Sequence, residues 1–301
     1  MALTKIFQLY ALKCGSTLFH QLQDAPLNTN VTDMTVTPSG HIIPVFTAHN
    51  GSRPEVPFTT HQVEAAITLF GLLGGDAGTT ILQLQKSANK GNRVAHATSE
   101  HVFYTINSAL GYGMTIAASN RQQATFQGRL VLLKSGSNAP FIYSGSNAIT
   151  DTPPTGSESF VLGPISIAGT IIEGTNDMNL ALNPTIEEPE DDFQSAPVFA
   201  CVLNIAPILT FTTTDPSIWS SHETAISGNG VKVNLLRKSA NSDVYSDAST
   251  EHILLTAASG RIVCESVGGS KSLTRVRIVP ISSDGSTLPV TATVNSAVST
   301  T

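Results

Sequence analysis

Charge is what this chain of 301 residues has least of: Asp, Glu, Lys and Arg together make up 13%, with 16 basic against 22 acidic side chains. Affinity for nucleic-acid backbones comes from clustered Lys and Arg, so a net charge of -6 disfavours a protein that grips phosphates. Such a surface still lets a polyanion pass without adhering. Aromatic residues are few, with a single Trp, Trp219, which argues against a sugar-stacking platform. The three cysteines, Cys14, Cys201 and Cys264, form neither a CxxC pair nor an even disulfide set and read as small buried residues. No apolar run approaches the roughly 20 residues that cross a bilayer as a helix, so no membrane partner is expected. Residues 6–12 mimic a weak signal h-region but are interrupted by Gln8 and Tyr10 and closed by Lys13, which predicts an intracellular product.

Catalytic signatures are missing too, and the expectation is a protein that is not an enzyme and needs no cofactor or metal. Residues 71–78, GLLGGDAG, lack the Lys-Ser/Thr of a P-loop and the spacing of a dinucleotide fingerprint. His222 and Glu223 open no HExxH, and no GxSxG elbow occurs. The eight histidines are scattered. His101 and His252 lie beside Glu100 and Glu251 at matching places in the two halves, which predicts a shared hydrogen-bonding role in the fold, the alternative being a metal or pH-sensing site.

What the chain does have is an internal repeat. PVFTAHNGSRPEVPFTT begins at Pro44 and PVFACVLNIAPILTFTT at Pro197; Pro54 with Pro207 and Phe58 with Phe211 keep the same spacing. The spacing contracts by one at KSAN, starting at Lys86 and Lys238, and by two at SEHVFYT and TEHILLT, starting at Ser99 and Thr250. Gly15-Ser16-Thr17 aligns more weakly with Gly169-Thr170-Ile171. Matched blocks in one order indicate a tandem duplication: a first β domain over 1–133, a linker or projecting arm over 134–159, and a second β domain with a C-terminal tail over 160–301.

Abundant Thr, Val and Ile beside 23 Gly and 16 Pro point to short strands and turns. Leu82 and Leu84 alternate with Gln83 and Gln85, and Val231, Val233 and Leu235 with Lys232 and Asn234, as in half-buried strands. At one place in each copy the period changes. Val63, Ala66, Ile67 and Phe70 recur at helical spacing, and Asp215-Pro216 is an N-cap followed by Pro at the first helical position. The predicted class is mainly β: two tandem β-sandwich or barrel domains, each with one short α-helix.

Two segments are candidates for assembly or for lining a lumen. In the Gly- and Ser-rich middle, GSNA occurs twice around Phe141, Ile142 and Tyr143, either a solvated linker with a tucked aromatic or an arm that docks on a neighbour. Before the second PVF block stands an acidic run, Glu187, Glu188, Glu190, Asp191 and Asp192, readable as a solvated loop, a divalent-cation site, an anionic surface, or a partner for a neighbour's Arg and Lys.

In the second copy, Gly163-Pro164, the acidic run, Pro197 to Phe199, PILTFTT at residues 207–213 and the helix start at Asp215 come one after another in an order that is similar to tail tube proteins of long-tailed bacteriophages. The resemblance implies a β-sandwich whose sheets join those of its neighbours to wall a lumen. It further implies homotrimeric rings of six β units stacked into a tube and joined to other virion tail proteins. The location it implies is the virion tail, after synthesis in the bacterial cytoplasm, with DNA as transient non-specific cargo. The missing acidic run of the first copy and the long central segment depart from the pattern. The alternatives are a double jelly-roll capsid protein and a tandem β-domain adhesin or binding module.

Overall fold

The computed structural model describes residues 6–37, 39, 42–88, 92–152, 159–189, 195–226, 228–239, 243–268 and 273–300. Its first unit runs β1 (Phe7–Cys14), β2 (Thr17–Phe19), β3 (Leu22–Asp24), β4 (Val31–Val36), β5 (Phe46–Ser52), β6 (Glu55–Thr60), α1 (Val63–Phe70), β7 (Gly75–Asp76), β8 (Thr80–Lys86), β9 (His101–Ile106), β10 (Ala109–Ser119), β11 (Thr125–Leu132) and β12 (Ile142–Asn147). The second unit runs β13 (Phe160–Ile167), β14 (Thr170–Ile172), β15 (Thr175–Ala181), β16 (Pro184–Glu187), β17 (Cys201–Ile205), β18 (Ile208–Thr213), a 3-10 helix (Pro216–Ser221), β19 (Val231–Arg237), β20 (His252–Ala257), β21 (Gly260–Gly268), β22 (Leu273–Pro280) and β23 (Thr291–Ser296). The class is mainly β, as the composition predicts.

The duplication is visible in the pairing. One five-stranded antiparallel sheet has the order β2-β1-β8-β9-β12 and another the order β14-β13-β19-β20-β23, the same path strand for strand. Each unit contributes four strands to a second path, β3-β6-β11-β10 and β15-β18-β22-β21, and these two sets are fused through β10 and β15 into one nine-stranded sheet, with β7 also pairing β10. Period-2 patterning puts one face of each strand in the core: Val56, Phe58 and Thr60 on β6, and Leu209, Phe211 and Thr213 on β18. Most of the buried hydrophobic residues of both units form one contiguous cluster, with a smaller one under the β16–β17 hairpin.

Structural register corrects two of the sequence matches by one residue. The Nδ1 of His101 accepts from the backbone N–H of Lys86, and that of His252 from Arg237, so Lys86 is equivalent to Arg237 and not to the Lys238 of the second KSAN. Likewise Thr17 closes the β1–β2 turn where Thr170 closes β13–β14.

The histidine pair is structural. Both rings are fully buried, and each Nε2 donates to a loop carbonyl, of Ala95 or Ser246, at 3.0 Å. Each ring thus pins its strand to a long loop. His101→Ala and His252→Ala are each expected to cost about 3 kcal/mol, because a cavity opens and two backbone groups lose partners. A lowered midpoint in denaturant titration, at unchanged far-UV spectrum, checks this.

The expectation that β8 and β19 are half-buried fails, since Gln83, Gln85 and Asn234 are buried. Returning chain covers the second face of each five-stranded sheet. Asp151 accepts from Lys13 Nζ and Gln83 Nε2, both at 2.6 Å, and in the second unit Asn234 Nδ2 donates to the carbonyl of Ser299 at 3.0 Å. For Asp151, desolvation is the largest influence and pushes its pKa up; the hydrogen bonds from Lys13 and Gln83 and the Lys13 charge together outweigh it and hold the carboxyl below its usual range. A depressed folded-state pKa contributes stability that is present above the unfolded value and lost as pH falls through the folded one. Asp151→Asn is therefore expected to flatten the acid limb of the stability curve below about pH 4, measurable by thermal melts from pH 7 to 2.

The two helical segments differ. On α1 the residues that the periodicity selects, Val63, Ala66, Ile67 and Phe70, are the buried ones. Asp215 does cap the second segment, its Oδ1 accepting from the N–H of Ser217 at 2.9 Å, but the capped segment is a six-residue 3-10 helix with only Ile218 buried. SIWSSH supplies no apolar stripe to hold a longer α-helix against the core.

Candidate self-assembly interface

The two units meet along a ladder that belongs to neither alone. Thr115, Ile116, Ala117, Ala118 and Ser119 of β10 pair with Ala181, Leu180, Asn179, Met178 and Asp177 of β15. At its centre Ile116 and Leu180 face one another, 0% and 1% exposed. Above the ladder α1 contacts β23, and Glu64 lies 3.7 Å from Arg237. Burial there holds the Glu64 carboxyl above its usual range, with Arg237 opposing the shift.

Among the described residues, the same ladder halves recur without strand partners at the two ends of the shared sheet. β15 is equivalent to β3, and β10 to β21. The equivalence extends past the end of β3, because Asn28 exchanges two backbone hydrogen bonds with Glu55 as Ala181 pairs with Ile208. Leu27 therefore holds the position of Leu180, and Val267 that of Ile116. Val267 is 58% exposed. The β3 edge is short and Pro26 interrupts its donors, a common means of keeping an edge from indiscriminate pairing.

A second strip of contact is made by the β16–β17 hairpin, which reaches back across the first unit. Ala200, Ile186 and Val202 pack on Leu110, Tyr112, Val131 and Leu133. The N–H of Lys134 donates to the carbonyl of Pro197 at 2.8 Å, and that of Ser52 to Ser195 at 2.7 Å. Burial beneath this hairpin, the largest influence, pushes the Tyr112 phenol up. The first unit's equivalent hairpin, β4–β5, has the same register and a bulge at the same place, yet every residue of β4 is exposed.

The residues singled out from the sequence lie on this same architecture. Ile142 and Tyr143 belong to β12, the outer strand of the first five-stranded sheet, so this part of the 134–159 segment is built into the first unit. Phe141 packs against its own core, with Tyr104 6.3 Å away, whereas Ile142 and Tyr143 are exposed. In the second unit the equivalent strand, β23, is the one α1 contacts. Glu187 is exposed on β16, and Glu188, just beyond it, lies 4.0 Å from Arg53 in the first unit. Glu190, Asp191 and Asp192 lie outside the described residues. Sequence patterning does not reveal the fused ladder; the alternation in TIAAS and NDMNLA is its only trace.

Away from the hairpin seat on Tyr112, Val131 and Leu133, and from its open equivalents Val263, Val279 and Ile281, the outer face of the shared sheet is mostly polar. Ala117, Asn179, Thr210 and Arg277 stand opposite one another across four strands. Its cations have carboxylate neighbours: Arg129 lies 3.0 Å from Glu55, and Arg275 and Arg277 lie 3.2 and 2.7 Å from Glu265. Among the described residues no group of three His, Cys, Asp or Glu is placed to hold a metal ion, and no helix is long and apolar enough to cross a membrane. Burial pushes the Cys14 thiol up to about 12, which leaves it unreactive at neutral pH. No family model matches the chain, and no curated protein does.

Proposed function

We propose that this protein is a structural subunit that joins to copies of itself head to tail, forming rings that stack into a tube of the kind built by the tail tube proteins its sequence resembles. The observation that carries the reading is the β10–β15 ladder: one unit-to-unit joint is already closed inside the chain, and its two halves stand open at β21 and β3. A contact that uses different surfaces on the two partners repeats until rotation closes it, and a chain supplying two units closes a ring of six units with three copies. The polar face of the shared sheet then lines the bore. Its Arg residues sit beside carboxylates, so passing DNA meets few bare cations and slides rather than binds. The same joint brings the 3-10 helix and Trp219 of one copy to the exposed Ile142 and Tyr143 of the next, as α1 meets β23 within the chain.

Negative-stain electron microscopy of the purified protein, with its mass in solution, tests the proposal. Tubes, or rings near three times 31.6 kDa, are expected. Spherical shells would favour the jelly-roll capsid alternative, and a mass that stays at one chain across a broad concentration range would overturn self-assembly.

A further inference from the structure

The exposed β4–β5 hairpin has a seat, and the seat is on another copy of this chain. Within the chain, the β16–β17 hairpin covers the outer face of β10 and β11, where Tyr112, Val131 and Leu133 are 4%, 4% and 9% exposed. Carried through the repeat, those positions are Val263, Val279 and Ile281 on β21, β22 and just beyond. All three are apolar, as a covered site requires, but they are open: Ile281 is 56% exposed, and Val263 and Val279 are half-buried. Among the described residues, none covers them as β16–β17 covers their equivalents. The hairpin equivalent to β16–β17 is β4–β5, which lies in the chain between β3 and β6, at the end of the shared sheet away from β21.

We infer that β4–β5 of one copy docks on β21–β22 of the next, with Ile281 under the hairpin and the N–H of Ser282 donating to the carbonyl of Pro44, as Lys134 donates to Pro197 within the chain. This rests on the head-to-tail reading above and adds a second strip of contact to the strand edge. The two seats differ in chemistry. Where the internal contact places Ile186 and Ala200 over Leu110, the external one places Asp33 and Thr47 over Arg261, which lies 3.7 Å from Glu223. Carboxylate against guanidinium gives complementary charge, and such a contact guides encounter and register more than it adds affinity. The permanent joint is apolar and the joint that must form in solution is mixed, which keeps the unassembled chain soluble.

Disulfide trapping tests it. In a Cys201→Ser background, one chain carries Pro44→Cys and another Ser282→Cys, and the two are mixed and oxidised; residues joined by a backbone hydrogen bond lie within disulfide reach. Lys134→Cys with Pro197→Cys in a single chain fixes conditions under which a known pair closes. Covalent dimers from the mixture, absent from either chain alone, are expected, as is at least a tenfold weaker association of Ile281→Asp. Rings or tubes that form while the mixed pair stays uncrosslinked would overturn the hairpin seat and leave head-to-tail assembly standing. A chain that stays monomeric by mass, with no crosslink, would remove both.

Discussion

Val267→Lys is expected to leave the chain folded and monomeric. The side chain is 58% exposed at the open end of the shared sheet, so the substitution itself changes stability by no more than about 0.5 kcal/mol. In the joint it occupies the position of Ile116, which is fully buried against Leu180. An ammonium held there without a counter-charge costs about 3 kcal/mol or more, at least a hundredfold in association for each joint. Lysine on a strand edge is also the side chain by which natural sheets keep edges from pairing. Light scattering after size exclusion, with thermal melts as the control for folding, reads both halves of the expectation. Normal rings from Val267→Lys would remove the β21 edge from the interface.

Gly111→Ile is expected to lower the stability of the first unit by about 3 kcal/mol or more, roughly 10 °C in melting temperature. A Cβ on Gly111 would stand 2.2 Å from Cε1 and 2.5 Å from Cδ1 of Phe70, a side chain of α1 that is itself buried in the core. The second unit shows what the room is for. At the equivalent position it has Ile262, 1% exposed, and its 3-10 helix buries only Ile218, with no ring in the place of Phe70. One unit thus fills the space with a ring from the helix, the other with a branched residue from the strand. Gly128 also lies against a ring, its Cβ meeting Phe58 at 2.5 Å, but there the second unit keeps both the ring, as Phe211, and a branched residue, Val276. Because the ring and the new side chain compete for one space, Phe70→Ala is expected to recover part of the stability that Gly111→Ile loses, and the double mutant to be more stable than the sum of the singles allows. Strict additivity would show that the two sites do not share the space.

Much of the fold could be read from the sequence because it rests on period-2 and helical patterning, which one chain carries in full. The buried face of α1 is an instance. What could not be read depends on partners distant in the chain. Gln83 looks solvent-facing until residues 149–151 return to cover it. IYSGSN lacks the apolar alternation of a strand, because β12 is an outer strand that pairs on one side only. Gly111 and Gly128 look like turn residues, yet they sit inside strands where rings approach closely. Of the candidate site residues, Ile142 and Tyr143 were legible as an apolar island in a polar segment. The strand ends at Leu27 and Val267 were not, since an unpaired edge has no sequence signature until its paired equivalent is known.

The fusion of the two sheets through β10 and β15 also has a kinetic meaning. A ring of six separate units would have to bring six bodies together, each losing its translational freedom. In the proposed ring half of the six joints would close as each chain folds, at the high effective concentration that a tether provides. Only three bodies would remain to collide in such a ring, so the onset of the proposed assembly would depend less steeply on protein concentration. Because the two units are encoded separately, the joint that forms once and the joint that forms on demand can be tuned apart.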